Sequence, residues 1–412
     1  MEILNKKYVI DEVPVLSLVK KYGSPLYVYE TDKMTSQYKR LQRAFRGTNI
    51  RIYYACKALT NINILRFFRN LGAGLDAVSI QEVRLSLLAG FDPKDILFTP
   101  NCVSLDEINE AVSLGVRVNI DNISILEQFG HKYGKKIPIC IRINPHIMAG
   151  ANPKIATGHI DSKFGISIYQ MPHVYRIIET NGMKVEGLHM HTGSDILDID
   201  VFLKGVEILL ETAKGLPDLE YIDIGSGFKV AYHPDDIYTD VIAFGKSLSK
   251  QFNKFCKEYG KELTLIFEPG KFLVSEAGYF IARVNVVKQT LSTVFAGVDT
   301  GMNHLIRPMF YDAYHQIINV SKTSGTTRIY TVVGYICETD TFGWNRKLTE
   351  ISEGDYLCFL NAGAYCFSMS SNYNSRYKPA EVLIHKKKDY LITQREKFED
   401  LTRNQVILED MF

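Results

Sequence analysis

Eight short apolar segments recur between residues 52 and 268, each followed by a polar loop and an amphipathic helix, and this alternation predicts a parallel (β/α)8 barrel of the TIM type. Beyond Gly270 the helical spacing stops and closely spaced strands with turn clusters take over, which predicts a second, antiparallel β-domain. The length of 412 residues suits two domains, because single cores stop growing near ~250–300 residues. Strand count alone leaves an open doubly wound sheet as the alternative. The barrel is preferred because eight such units match the ~250 residues usual for that fold.

Taken in order, the first thirty residues carry a strand at Tyr8–Ile10, a helix from Val15 to Lys21 with Pro14 placed for its first turn, and a strand at Leu26–Tyr29. The expected division gives residues 31–275 to the barrel and residues 1–30 with 276–412 to the β-domain. A charged amphipathic helix over Asp32–Phe45 leads into the barrel. Its strands are expected at Ile52–Lys57, Leu75–Ser79, Ile96–Thr99, Arg117–Asp121, Ile139–Asn144, Val185–His191, Tyr221–Ile224 and Thr264–Glu268. Helices with apolar residues at helical spacing fall at Ile62–Leu71, Gln81–Ala89, Leu105–Leu114, Ile123–Tyr133, Met171–Thr180, Val201–Ala213 and Val241–Tyr259. The later strands are Tyr279–Gln289, Val294–Val298, Gln316–Val320, Arg328–Ile336, Tyr356–Leu360, Glu381–His385 and Asp389–Ile392. Turn clusters such as Thr323-Ser324-Gly325 and Glu353-Gly354-Asp355 separate them.

Composition narrows the function. The 48 Lys+Arg against 46 Asp+Glu leave a formal charge of +2, which announces neither a nucleic-acid footprint nor a polybasic membrane surface. The opening Met-Glu-Ile-Leu-Asn-Lys-Lys has no apolar signal core, and no stretch reaches ~18 apolar residues without a charge, so a cytoplasmic protein is expected. The seven cysteines (Cys56, Cys102, Cys140, Cys256, Cys337, Cys358 and Cys366) are odd in number and lack CxxC spacing. They read as reduced thiols with neither a disulfide framework nor structural zinc.

The active site of a (β/α)8 barrel is built at the C-terminal ends of its strands, and the side chains expected there are polar. They are Lys57, Asp76, Asn101, Asp121, Arg142, Asn144, His189, His191, the Gly225-Ser226-Gly227 turn and Glu268. Any one of them has a structural alternative in capping or ion pairing. The convergence of the whole ring favours function. Lys57 ends an apolar strand, where a cation needs a partner, a task, or a route by which to snorkel out. A free lysine is only about one part in a few thousand neutral at pH 7, so a nucleophilic one must be desolvated or joined to a carbonyl. The Gly225-Ser226-Gly227 turn after strand seven lets backbone N–H groups approach a phosphate, and Gly270 extends it. A carboxylate at Glu268 facing a heterocyclic nitrogen holds that nitrogen protonated. Lysine, glycine turn and carboxylate are the three anchors that pyridoxal phosphate needs. His189 and His191 share one strand face and suit a metal only if His and Asp ligands come from other strands, so a ring stacked on a cofactor is the better use of His191. Cys337, beside Glu338 and Asp340, is a poor nucleophile because acidic neighbours raise a thiol's pKa, but a proton donor remains open to it.

These residues carry a resemblance. Tyr54-Ala55-Cys56-Lys57-Ala58, His191-Thr192-Gly193-Ser194, Gly225-Ser226-Gly227-Phe228, Glu268-Pro269-Gly270, Cys337-Glu338 and Gly363-Ala364-Tyr365 resemble, in order, the motifs of the fold-type III pyridoxal phosphate decarboxylases. The likeness spans nearly the whole chain. Thr157-Gly158 with Ser162-Lys163-Phe164-Gly165, Arg307-Pro308-Met309-Phe310-Tyr311, and the run from Ser371-Asn372-Tyr373-Asn374 to Pro379-Ala380-Glu381-Val382 resemble the branch acting on diaminopimelate. Glu338 agrees, since ornithine-type relatives usually have Asp there.

The resemblance implies that Lys57 bonds the cofactor and His191 stacks on its ring. It further implies that Ser194, Gly227, Gly270 and Tyr365 hold the phosphate and that Glu268 pairs with the ring nitrogen. Asp76, Gly225 and Ser226 complete the expected cofactor neighbours. Arg307 and Tyr311 are similar to residues that bind a substrate carboxylate, with Tyr365 beside them. Cys337 and Glu338 are similar to residues that reach in from a partner subunit, implying a homodimer with shared active sites. The implied β-domain is Greek-key barrel-like. The implied reaction is decarboxylation of meso-2,6-diaminopimelate to L-lysine and CO2, the last step of lysine biosynthesis. Another amino acid or a siderophore intermediate is the alternative substrate. A non-catalytic pyridoxal-phosphate barrel protein, which has no use for Arg307 or Cys337-Glu338, and a metal-dependent barrel hydrolase are the rival classes. The sequence departs from the family at Lys271, where the family's arginine is similar to a substrate-carboxylate clamp. Lysine keeps the charge and loses the two-pronged geometry.

Overall fold

The computed structural model describes residues 1–147, 161–193 and 198–409. They form two units, one of Thr35–Ala231 with Asp235–Leu273 and the other of Met1–Met34, Tyr232–Pro234 and Val274–Phe412. In the first, parallel strands Ile50–Ala55, Gly74–Ala77, Ile96–Phe98, Arg117–Ile120, Ile139–Asn144, Val185–Met190, Tyr221–Asp223 and Thr264–Phe267 pair in that order. The last pairs with the first, Leu265 opposite Ile50, so the sheet closes into the barrel and the open-sheet alternative falls.

Strand ends differ slightly from the sequence expectation. Lys57 belongs to a short 3-10 turn, Cys56–Ala58, and His191 and Glu268 each lie one residue past a strand. Single hydrogen bonds continue beyond the ends, as from Thr99 N–H to Ala77 O at 2.8 Å. The reciprocal pairing of a ladder has already stopped there, which frees these side chains to turn into the mouth.

Several polar residues just past the strands are helix caps. Asn61, Ser79, Ser104 and Asn122 each accept a backbone N–H from the first turn of the following helix. Inside the barrel, Tyr53, Leu97, Cys140 and Tyr221, one from every second strand, pack with Ile266 as a buried layer. A ring as large as Tyr221 fits because strand six offers Gly187, where a Cβ would lie 2.3 Å from it.

In the second unit the N-terminal strand Leu26–Glu30 is central. It pairs antiparallel with Gly278–Gln289 and parallel with Ala380–His385. The sheet runs Thr341–Thr349, Thr327–Val333, Val294–Val298, Gly278–Gln289, Leu26–Glu30, Ala380–His385 and Lys388–Thr393. It is mainly antiparallel, with a second parallel pairing of Phe295 opposite Thr331. The nine-residue strand Thr341–Thr349 is absent from the sequence expectation. Its centre, Trp344-Asn345-Arg346-Lys347, is largely exposed and its pairing shifts register twice, so no alternation marks it. The strand expected at Arg328–Ile336 stops at Val333, leaving Cys337 and Glu338 on a turn. All seven cysteines are free thiols, and among the described residues no helix is long and apolar enough to cross a membrane.

Candidate active site

Lys57 is anchored rather than loose. Its Nζ donates to Asp76 Oδ2 at 2.8 Å; the lysine side chain is 41% exposed, whereas Asp76 on strand two is fully buried. Thr99 Oγ1 donates a short hydrogen bond to the other Asp76 oxygen. Burial and the nearby Glu268 carboxylate push the Asp76 pKa up, while Lys57 and Thr99 pull against them. An amine at the strand end, turned to the mouth by a buried carboxylate, is placed for chemistry that a snorkelling surface lysine is not.

Glu268 N–H donates to Gly225 O at 2.7 Å, which ties the end of strand eight to the glycine turn after strand seven. Burial alone would raise its carboxyl. His189, whose Nε2 is 3.4 Å from Oε2, together with the Lys57 ammonium brings it well below the usual carboxylate range. Asp223 moves the other way, pushed up by burial and by Glu268, so the pair holds one negative charge. Glu268 Oε1 is buried and meets no N–H among the described residues; the acid proton of Asp223 is the donor the Glu268 carboxylate has on that side. A lone pair beside that hydrogen bond is left for a ligand donor. His189, Asp223 and Glu268 bring ligand atoms within 4.8 Å of one another, a donor set that also suits a metal ion. His191, the partner of His189 in the metal reading from sequence, is not part of it.

His191 instead accepts the Ser226 N–H on Nδ1 at 3.2 Å. Burial, with help from Arg142, pushes its pKa down to about 3, so the ring is neutral at pH 7. Gly225 has φ +65°, and a Cβ there would stand 2.4 Å from His191 Nδ1; Gly227 has φ +141°. Glycine is therefore required at position 225 by conformation and by contact. The Ser226 N–H faces His191, while Gly225 N–H donates to Asp223 Oδ1 at 2.8 Å. Ser194 and the Thr157-Gly158 pair lie outside the described residues. Gly270 closes the strand-eight loop, and Lys271, only 9% exposed, opens the short helix Lys271–Val274.

The β unit gathers its own group. Helix Arg307–Tyr311 carries both of its terminal residues as site candidates. The Arg307 Nη1 donates to Tyr232 OH at 2.6 Å and the guanidinium carbon lies 4.6 Å from the Tyr232 ring centre. Tyr232 in turn pairs with Ser275 Oγ at 2.9 Å. Cys337 and Glu338 are exposed and held by one segment: Asn374 Nδ2 donates to Cys337 Sγ at 3.3 Å, and Tyr373 OH to Glu338 Oε1 at 2.6 Å. Tyr365 is half-buried with φ +56°. Tyr232 and His189 are the residues that sequence reasoning left without a role. The partners that define them come from distant strands and loops, and no local pattern announces that.

Residues 31–275 match the family described as pyridoxal-dependent decarboxylase, pyridoxal binding domain. The chain belongs to this family. Diaminopimelate decarboxylase of Methanothermobacter thermautotrophicus is 40% identical over 400 residues, 95% of this chain and 93% of that protein. The crystal structure of Helicobacter pylori diaminopimelate decarboxylase complexed with L-lysine has a TM-score of 0.87 at 32% identity, covering 94% of this chain and 98% of the other. The crystal structure of diaminopimelate decarboxylase from M. jannaschii has a TM-score of 0.91 at 31% identity, covering 99% of this chain and 98% of the other.

The cofactor of this pyridoxal-dependent decarboxylase is pyridoxal 5'-phosphate. The residues present fit it: a lysine amine held at the strand end, a neutral imidazole braced by the glycine turn, and a buried, ionised carboxylate with a lone pair facing no N–H.

Proposed function

We propose that the protein decarboxylates meso-2,6-diaminopimelate in the cytoplasm, releasing CO2 and L-lysine. The observation that carries this is the buried, ionised Glu268 carboxylate in the same barrel as the anchored amine of Lys57. The near full-length likeness to diaminopimelate decarboxylases supports the choice of substrate. Pyridoxal phosphate, when bound, supplies an electron-poor ring that takes up the electron pair left by a departing carboxylate. Lys57 would hold it covalently, His191 would cover one ring face, and Glu268 would receive the proton-bearing ring nitrogen. Asp76 orients Lys57. Gly225, Ser226, Gly227 and Gly270, with Ser194 and Tyr365, would surround the phosphate.

On this reading Arg307, Tyr311, Tyr365 and Lys271 bind substrate carboxylate, and Glu338 receives the distal ammonium. A plain diamine brings no carboxylate to Arg307 and forgoes that contact, which selects against it. Cys337 returns a proton to the α-carbon. Cys337 and Glu338 serve the site of a partner subunit, making the working species a homodimer. Lys271 favours one second reading, a decarboxylase of another amino acid or a siderophore intermediate, since a single ammonium grips a carboxylate less selectively than a guanidinium. CO2 release from meso-diaminopimelate, ornithine, arginine and lysine tests both. Turnover of diaminopimelate at least about tenfold above the others is expected, and none with diaminopimelate would refute the proposal.

A further inference from the structure

Three buried side chains from alternate barrel strands meet in succession, Asn119 to His189 and His189 to Glu268. Asn119 lies on Arg117–Ile120, His189 on Val185–Met190, and Glu268 directly follows Thr264–Phe267. Asn119 and His189 are each 1% exposed and Glu268 is 7% exposed. Asn119 Nδ2 is 2.6 Å from His189 Nδ1, and His189 Nε2 is 3.4 Å from Glu268 Oε2. With the Asn119 NH2 on this side and its Oδ1, which has no hydrogen-bond partner, turned away, the imidazole nitrogen it meets accepts and holds no proton. The ring proton then sits on the opposite nitrogen, the one that faces Glu268.

We propose that His189 is a positioning residue, fixed by Asn119 as the neutral Nε2–H tautomer, whose N–H faces Glu268 and keeps that carboxylate ionised and aimed at the cofactor's ring nitrogen. Charge counting supports it. Asp223, buried beside Glu268, is pushed toward its neutral acid form, so a neutral His189 leaves a single negative charge to match a single positive charge on the ring. An imidazolium at His189 would cancel that charge and remove the reason for the ring nitrogen to stay protonated. Glu268 Oε2 faces His189, while Oε1 is buried with no N–H donor among the described residues and has a lone pair for the ring N–H beside any hydrogen bond from the Asp223 acid. This inference rests on the assignment of Glu268 to the ring nitrogen.

The test uses the full-length, cofactor-loaded protein with 15N-labelled histidine, the His189 signals being identified by their loss in His189→Gln. Between pH 6 and 8 an unprotonated Nδ1 and a protonated Nε2 are expected. Protonation at Nδ1, alone or with Nε2, overturns the proposal. The second arm reads the visible absorbance of the bound cofactor against pH. Glu268→Gln is expected to move its transition, and His189→Leu to move it the same way by about one pH unit or more. His189→Gln, whose amide N–H still reaches toward the carboxylate, is expected to restore it. If Glu268→Gln shifts the transition and His189→Leu does not, the role of His189 is refuted and that of Glu268 stands. If Glu268→Gln leaves it unmoved, the assignment of Glu268 falls and this inference falls with it. Should His189→Leu fail to fold, the tautomer measurement on the natural protein still decides.

Discussion

The Lys57–Asp76 pair shows how one residue acquires a function from its setting. A surface lysine gains little from an ion pair, but Asp76 is wholly buried and burial favours its neutral form, so the lysine's charge is the chief pull in the other direction. The pairing therefore binds the amine to one place. Lys57→Ala is expected to abolish the visible absorbance of covalently held cofactor and to lower turnover by about a thousandfold or more, with the fold, read by circular dichroism, intact. Retained absorbance together with retained turnover would show that another group holds the cofactor. Sequence reasoning reached Lys57 and Glu268 because each ends an apolar strand in a polar residue. It missed His189 as a partner of Glu268, because the 3.4 Å contact joins strands six and eight, and proximity across a barrel leaves no mark in either strand.

At the scale of elements, the barrel was legible because each strand and helix repeats its own period, and the helices Ile123–Tyr133 and Val241–Tyr259 occur with the bounds expected. Strand Thr341–Thr349 was not legible, since its exposed, register-shifted centre buries no alternating face. The glycine turn after strand seven was legible as composition but not as geometry: nothing local tells that His191 lies against Gly225. That contact yields a prediction. Gly225→Ala faces a positive φ, worth about 1–3 kcal/mol of strain, and a clash with His191 Nδ1 at 2.4 Å. Gly47→Ala faces a positive φ of 91° with no atom within 4 Å of its Cβ, so it isolates the conformational part. Both variants are expected to melt a few degrees lower, but only Gly225→Ala is expected to weaken cofactor affinity, by about tenfold or more. Equal affinities in the two variants would mean that His191 moves aside without consequence for the cofactor.

Across the whole molecule, stability is coupled to pH through histidines that the fold keeps neutral. Burial pushes His315 down to about 3 and His304 to about 4, as it does His191. The sign follows from linkage. An unfolded histidine takes a proton near pH 6.5 while the folded one refuses it, so the contribution is neutral above that pH. As pH falls from 6.5 toward 3, each such histidine costs stability. Asp340, raised to about 6 by burial, acts in the opposite direction, giving stability at low pH that is lost as pH rises from its ordinary value to 6. The raw melting curve mixes these effects, so the informative quantity is a difference between variants. His315 suits this because it is fully buried, its Nδ1 meets Leu360 O at 2.8 Å, and Arg307 nearby further disfavours a proton. His315→Asn keeps an N–H for that carbonyl and removes the titration. The natural protein is expected to be the more stable of the two at pH 8. Below pH 6.5 its advantage should shrink by about 1.4 kcal/mol per pH unit, which chemical denaturation at pH 8, 7, 6 and 5 measures. An advantage that stays constant to pH 5 would mean that His315 accepts its proton inside the folded protein, and that the field of Arg307 is screened from it.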